Sequence, residues 1–143
     1  MNTLFILNDP PYGSERTYNG LRLAGHLSKQ EGSSVRVFLI GDAASTAHRN
    51  QKVPQGFYNT EVMLGSVIRH GGEVGVCGTC MDARGMAIAT SWTALTAAHW
   101  RNWLNGPRGL TRFWCSETGK SGFLKVPGYW PHACCLMKPR QRR

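Results

Sequence analysis

Acidic residues are what this chain runs short of. Its 143 residues carry eight Asp/Glu against 17 Lys/Arg, a formal net charge of +9. The shortage is local: residues 1–87 hold seven acids against eight Lys/Arg, a net of +1, and residues 88–143 hold nine Lys/Arg against Glu117 alone, a net of +8. A basic surface of the whole domain would point to nucleic acid; a charge confined to one end does not, so nucleic acid is not the expected partner. Long apolar runs are missing as well. No stretch of 18 apolar residues exists, which excludes a spanning helix and any membrane partner that needs one. The start, MNTLFILNDPPYG, lacks a basic segment and meets Asp9 after a short apolar run. It does not read as a signal peptide, and a cytoplasmic location is expected. In a reducing compartment the five cysteines are expected to be thiols or metal ligands rather than a disulfide frame.

What is present in residues 1–87 alternates strands with helices. A chain of this length is expected to form one domain with a real core. TLFIL (3–7) and VRVFLI (35–40) are short apolar runs without helical period, suited to strands buried on both faces, and EVGVC (73–77) is a third. Between them, NDPPYGSE breaks the chain and Ser14 stands as an N-cap with Glu15 behind it. Tyr18, Leu21, Ala24 and Leu27 then share one side of a helix. A further helix starts near Asn59 and carries the i,i+4 pairs Met63–Val67 and Leu64–Ile68. Strands alternating with helices imply a parallel α/β sheet with right-handed crossovers. Ligands bind such sheets beyond the carboxyl ends of the strands. The Asp9–Ser14 loop, the turn at Asp42 and Cys77 are therefore expected on one rim.

The stretch GVCGTCMDARGM (75–86) carries the chemistry. Cys77 ends a strand, with Cys80 three residues on and Asp82 and Arg84 just beyond. Three readings stay open on the residues alone. A thiolate at Cys77, favoured by a following helix and by Arg84, would be a nucleophile. A Cys-x-x-Cys in this context is also a redox dithiol pattern. Half of a zinc site is the third, although residues 1–87 contain no second pair of suitable spacing. The plain alternative is an inert buried thiol, with Asp82 and Arg84 as a surface ion pair of little energetic weight.

NDPPYGSERTYNGLRLAGHL, VFLIGDAA, QKVPQGFYNTEVML and VCGTCMDARGM, in this order, resemble the DsrE/DsrF-like family and its YchN-type branch. The resemblance covers residues 1 to about 87. It implies a three-layer α/β/α sandwich on a parallel sheet, assembled as a homo-oligomer, a trimer or hexamer. It also implies a sulfur relay without a cofactor or metal, in which a cysteine receives a persulfide from a donor protein and passes it to an acceptor. By its distance to Arg84 and Gly85, Cys77 matches the working cysteine of sulfur-transferring relatives. Cys80 would be an auxiliary thiol that can resolve a persulfide as a disulfide. Arg84, Asp82, Asp42, Tyr12 and Gly13 are the residues expected around the sulfur.

After Met86 the motifs stop. Relatives continue with polar helices and a strand resembling ADKVLVF, whereas this chain runs AIATSWTALTAAHWRNWLNGPRGLTRFWCSE. Codons can be chosen for residues 88–117 such that starting one nucleotide earlier yields DRDLVDGAHRSTLEELAEWTARADKVLVF and a stop. Residues from about 88 are accordingly expected to be a frameshift product. The chain then divides into an α/β domain, 1–117, with 88–117 out of frame, and a basic, disordered tail, 118–143. The strand expected at 109–115 would be lost, because Thr111 and Arg112 take the place of core residues. His132, Cys134, Cys135 and Cys115, which suggest a metal cluster, and the basic end KPRQRR with its neighbouring tryptophans, which suggests RNA binding, become accidents of codon content. The rival functions are a non-enzymatic small-ligand-binding oligomer and an RNA-binding protein acting through the tail.

Overall fold

The first three strands form where apolar residues run without helical period. The computed structural model describes residues 1–86, 96–98, 112–117 and 120–125. β1 is Asn2–Leu7, β2 Ser34–Leu39, β3 Glu73–Cys77, β4 Thr96–Ala98, β5 Arg112–Glu117 and β6 Lys120–Lys125. They build a six-stranded sheet in the order β4-β3-β2-β1-β5-β6. Every neighbouring pair is parallel except β5 with β6, which is antiparallel. Register aligns Phe5 with Val37 and Val37 with Val74, so the apolar positions of three strands lie side by side. Arg36 and Glu73, also aligned, form an ion pair at 3.0 Å. The α/β class and the parallel sheet are as the sequence implies.

Helix α1, Glu15–Leu27, begins after Ser14, which stands at the N-cap without a side-chain cap hydrogen bond. Thr17, Leu21, Ala24 and Leu27 are the face it buries. Tyr18 differs from expectation: it is half-buried and stacks on Tyr58, ring centres 4.3 Å apart, instead of joining the core. Helix α2, Thr60–Arg69, is capped by Asn59, whose side chain accepts from the Val62 N–H at 3.1 Å. This cap satisfies one of the donors that a helix start leaves open. Gly72, between α2 and β3, fits only without a side chain: a Cβ there would lie 2.5 Å from Val67 Cγ1 and 2.9 Å from the Val67 carbonyl oxygen.

One face of the sheet, through Phe5, Leu7, Val35, Val37, Leu39, Val74 and Val76, packs against Leu21, Ala24 and Leu27 of α1 and Leu64 and Val67 of α2. Period-two alternation sends Leu4, Ile6, Phe38 and Cys77 to the other face, where they are buried too. Strands buried on both faces read as continuous apolar runs, which is why TLFIL and VRVFL lack alternation.

Two expectations for the C-terminal region are corrected. The sheet does not lack the strand after β1: β5 pairs with β1 in parallel, Phe5 facing Trp114. Ladder bonds are made by backbone groups, and Arg112 takes the first position of the strand. Nor is the chain without structure from residue 118, since Lys120–Lys125 forms β6 on β5. The residues His132, Cys134 and Cys135 and the basic end lie outside the described residues. No helix among the described residues is long and apolar enough to cross a membrane.

Candidate functional site

The first parallel strands deliver their loops to one rim, as expected of such a sheet. β1 hands over to Asn8 and Asp9, β2 to Gly41 and Asp42, and β3 ends on Cys77 itself. Asn8 accepts the Ala43 N–H at 3.2 Å, tying the first two loops together. The 3₁₀ helix Gly41–Ala47 follows β2 at once, and α3, Gly78–Asp82, follows β3 with Cys77 as its N-cap residue. Gly41 adopts φ +61°, a left-handed conformation that favours glycine and turns its N–H toward α3.

Cys77 is buried, 4% exposed, and Cys80 is half-buried; both are free thiols. Cys77 Sγ lies 3.2 Å from Thr79 Oγ1. Burial pushes the Cys77 thiol up, but hydrogen bonds from the Cys80 thiol, the Thr79 hydroxyl and the backbone amides of Cys80 and Thr79 outweigh it, leaving Cys77 below the ordinary thiol value. Burial and the hydrogen bond to Cys77 push Cys80 the other way. The Gly41 N–H, which donates to Cys80 Sγ at 3.3 Å, and the charge of Arg84 oppose that rise without cancelling it. The pair is thus unequal. Of the two, Cys77 gives up its proton more readily, and the hydrogen bond from the Cys80 thiol is one of the causes.

Arg84 does its work at a different sulfur from the one its sequence position suggests. One guanidinium nitrogen donates to the Cys80 carbonyl at 2.9 Å and another reaches Asp42 Oδ1 at 2.5 Å. It pairs with Asp42 across the rim, not with Asp82, and its charge acts on Cys80. Asp42 accordingly spends its carboxylate on Arg84 and not on capping the 3₁₀ helix. Asp82 is exposed. Tyr12 is engaged elsewhere: its hydroxyl donates to Gln51 Oε1 at 2.5 Å, accepts the Thr60 N–H at 3.3 Å, and its ring stacks on Tyr58 at 5.7 Å. Gly13 sits beside it in an exposed turn at φ +96°. Among the described residues no hydrogen bond or ion pair joins Tyr12, Gly13 or Asp82 to either thiol, while Cys77, Cys80, Arg84 and Asp42 come together.

Two participants escaped the sequence reading. Thr79 lies inside the Cys-x-x-Cys, and a hydroxyl two residues after a helix-capping cysteine was the available signal. Gly41 precedes Asp42 at a strand end, and only the crossover geometry shows that it faces Cys80. Among the described residues no three His, Cys, Asp or Glu side chains gather as a metal site.

The model of the DsrE/DsrF-like family matches residues 1–105, running past Met86, where the motifs fade. The chain is similar to protein YchN of Escherichia coli K12, 40% identical over 85 residues, 59% of this chain and 72% of that protein. It is 37% identical over 82 residues, 57% of this chain and 66% of the relative, to the uncharacterized protein MK0008 of Methanopyrus kandleri. The crystal structure of the E. coli ychN protein superposes with a TM-score of 0.74 at 29% identity, over 81% of this chain and 99% of that one. MTH1491 of Methanobacterium thermoautotrophicum, a protein of unknown function, superposes with a TM-score of 0.59 at 10% identity over 80% of this chain and 98% of that one, a likeness of fold alone.

Proposed function

We propose a function for this chain on one premise: it belongs to the DsrE/DsrF-like family. Within that family we infer a sulfur carrier, working in a relay between a donor and an acceptor protein with Cys77 as the loaded residue. The observation that carries this reading is the unequal thiol pair: Cys77 held below the ordinary thiol value by Cys80 and Thr79, at the carboxyl end of a parallel strand. Loading is an exchange: the Cys77 thiolate attacks the outer sulfur of a donor persulfide, a sulfur–sulfur bond forms on Cys77, and the donor leaves as its thiolate. Unloading repeats the step with an acceptor thiolate attacking the outer sulfur. No cofactor is needed for either exchange.

The carrier is proposed to act as a homo-oligomer. Phe57, 73% exposed, and Val62, 59% exposed, leave apolar surface beside the Tyr12–Tyr58 cluster that a second copy would cover. Persulfide-selective labelling tests the function. After incubation with a sulfur donor the wild type should label and Cys77→Ser should not. Absence of labelling in both would leave a ligand-binding module without thiol chemistry as the better account, and equal labelling would place the sulfur on another cysteine.

A further inference from the structure

Helices α1 and α2 leave a groove of about 520 Å³ open between them, and the thiol chemistry does not use it. Arg22, His26 and Lys29, all exposed, line it at spacings of four and three, a stripe on one side of α1 that continues into the turn after it. Among the described residues none of the three has an ion pair. No acid lines the groove: Glu15 and Glu61 sit in the first turns of α1 and α2, and Glu31 lies in the turn beyond Lys29. Leu23 and Met63, partly buried, supply its apolar lining.

Gly25 lines the same groove. A glycine inside a helix weakens it relative to alanine, so its presence in α1 calls for a reason. Its φ is not among the positive ones, and a Cβ built on it would meet nothing within 4 Å. Neither backbone conformation nor packing among the described residues requires glycine there. What a bare Cα does offer is room for another backbone to come close.

We propose that this groove docks an amphipathic helix of a partner protein, with acidic residues flanking its apolar side. The inference does not rest on the sulfur-carrier reading. Unpaired cations beside an apolar lining select a partner that brings carboxylates and apolar side chains together. The backbone groups of α1 and α2 bond within their own helices, so a strand would find no edge to pair with. A helix arrives with its backbone already satisfied and lays one apolar side into such a groove. From Asn19 to Lys29 the groove runs about 15 Å, at about 1.5 Å per residue, the length of roughly three helical turns. A second copy suits it less, because a twofold contact would set the Arg22–Lys29 stripe against its own image, like charge on like. Helix α1 runs back from the rim toward the amino ends of the strands, and neither cysteine nor Arg84 lines the groove. A docked helix therefore leaves Cys77 open to its reaction.

The probe is a capped, alanine-based helical peptide of about 20 residues, with leucines along one side and glutamates beside them at i, i+4 and i+7. A twin peptide carries lysines in place of the glutamates. Both are titrated with the full chain by fluorescence anisotropy. The Glu peptide should bind the wild type, and the Lys peptide about tenfold more weakly or not at all; added salt should weaken the first. Reversing the stripe in the double variant Arg22→Glu/Lys29→Glu should exchange the two preferences. Gly25→Leu should weaken binding of the Glu peptide about tenfold by filling the groove, while its thermal midpoint stays or rises, since leucine favours a helix over glycine. No binding of the Glu peptide, equal binding of the two peptides by the wild type, or full binding by Gly25→Leu would each overturn the proposal. So would a lower thermal midpoint for Gly25→Leu, which would show that the chain itself packs on Gly25. A smaller particle for Gly25→Leu in light scattering would give the groove to a second copy and overturn it too.

Discussion

The backbone N–H of Gly41 donates to the sulfur of Cys80 at 3.3 Å, joining residues 39 apart in sequence. The link exists because β2 and β3 are adjacent parallel strands whose ends open on the same rim. It makes the thiol pair a property of two loops and not of the Cys-x-x-Cys segment alone.

The first consequence is a difference in reactivity. Cys77 is held below and Cys80 above the ordinary thiol value. As pH rises, Cys77 should therefore ionise first, and near neutrality iodoacetamide should modify it faster than Cys80. Thr79→Ala removes one hydrogen bond to Cys77 Sγ, and should shift its alkylation profile to higher pH. Equal rates for the two thiols in the folded chain, read by peptide mapping, would count against an activated Cys77.

The Asp42–Arg84 pair should matter little to stability. The side chains are 66% and 30% exposed, and a pair so open to water is worth about 0–1 kcal/mol. Asp42→Ala should accordingly lower the denaturation midpoint slightly or not at all. A loss of several kcal/mol by chemical denaturation would show that the pair holds the fold and not the site.

Gly72→Ala should cost far more. Its Cβ would meet Val67 Cγ1 at 2.5 Å and the Val67 carbonyl oxygen at 2.9 Å. The side chain can shift but the backbone oxygen belongs to the end of α2, and overpacking of this kind costs about 1–3 kcal/mol. Thermal unfolding checks it, and an unchanged midpoint would mean that the α2–β3 junction yields easily.

The reading frame of residues 88–117 carries its own test. The shifted frame replaces GLTRFWC by ADKVLVF, which is apolar at the positions a parallel strand buries. Each such side chain newly buried should add about 1.5–3 kcal/mol. A chain carrying the shifted-frame segment should unfold at higher temperature and run as an oligomer in light scattering. Sequencing the underlying DNA gives the direct answer: if that frame does not encode the peptide, the frameshift account is wrong.

How much of this was legible beforehand follows from where the forces are local. β1, β2 and β3 were readable because strands buried on both faces leave uninterrupted apolar runs, and α2 because Asn59 caps it and Met63, Leu64 and Val67 keep helical spacing. Cys77 was readable as the end of β3. The partner of Arg84 was not. Asp82 is two residues away and Asp42 is 42, and only the parallel crossover brings the distant carboxylate within 2.5 Å. The partners of Tyr12 were hidden for the same reason, since Gln51 and Tyr58 come from the loop before α2 and Thr60 from its first position. The strand β5 escaped because its composition, with Arg112 at its start, does not resemble a buried parallel strand.

The central claim is that Cys77 carries sulfur, and the most direct measurement is the mass of its peptide. The full chain is incubated with inorganic polysulfide under anaerobic conditions, trapped with an alkylating reagent, digested, and read by tandem mass spectrometry. The account predicts one additional sulfur atom on Cys77, absent from Cys80 and from the Cys77→Ser chain. Additional sulfur on Cys80 alone, or on neither thiol while an exposed control thiol in the same tube is loaded, would contradict it.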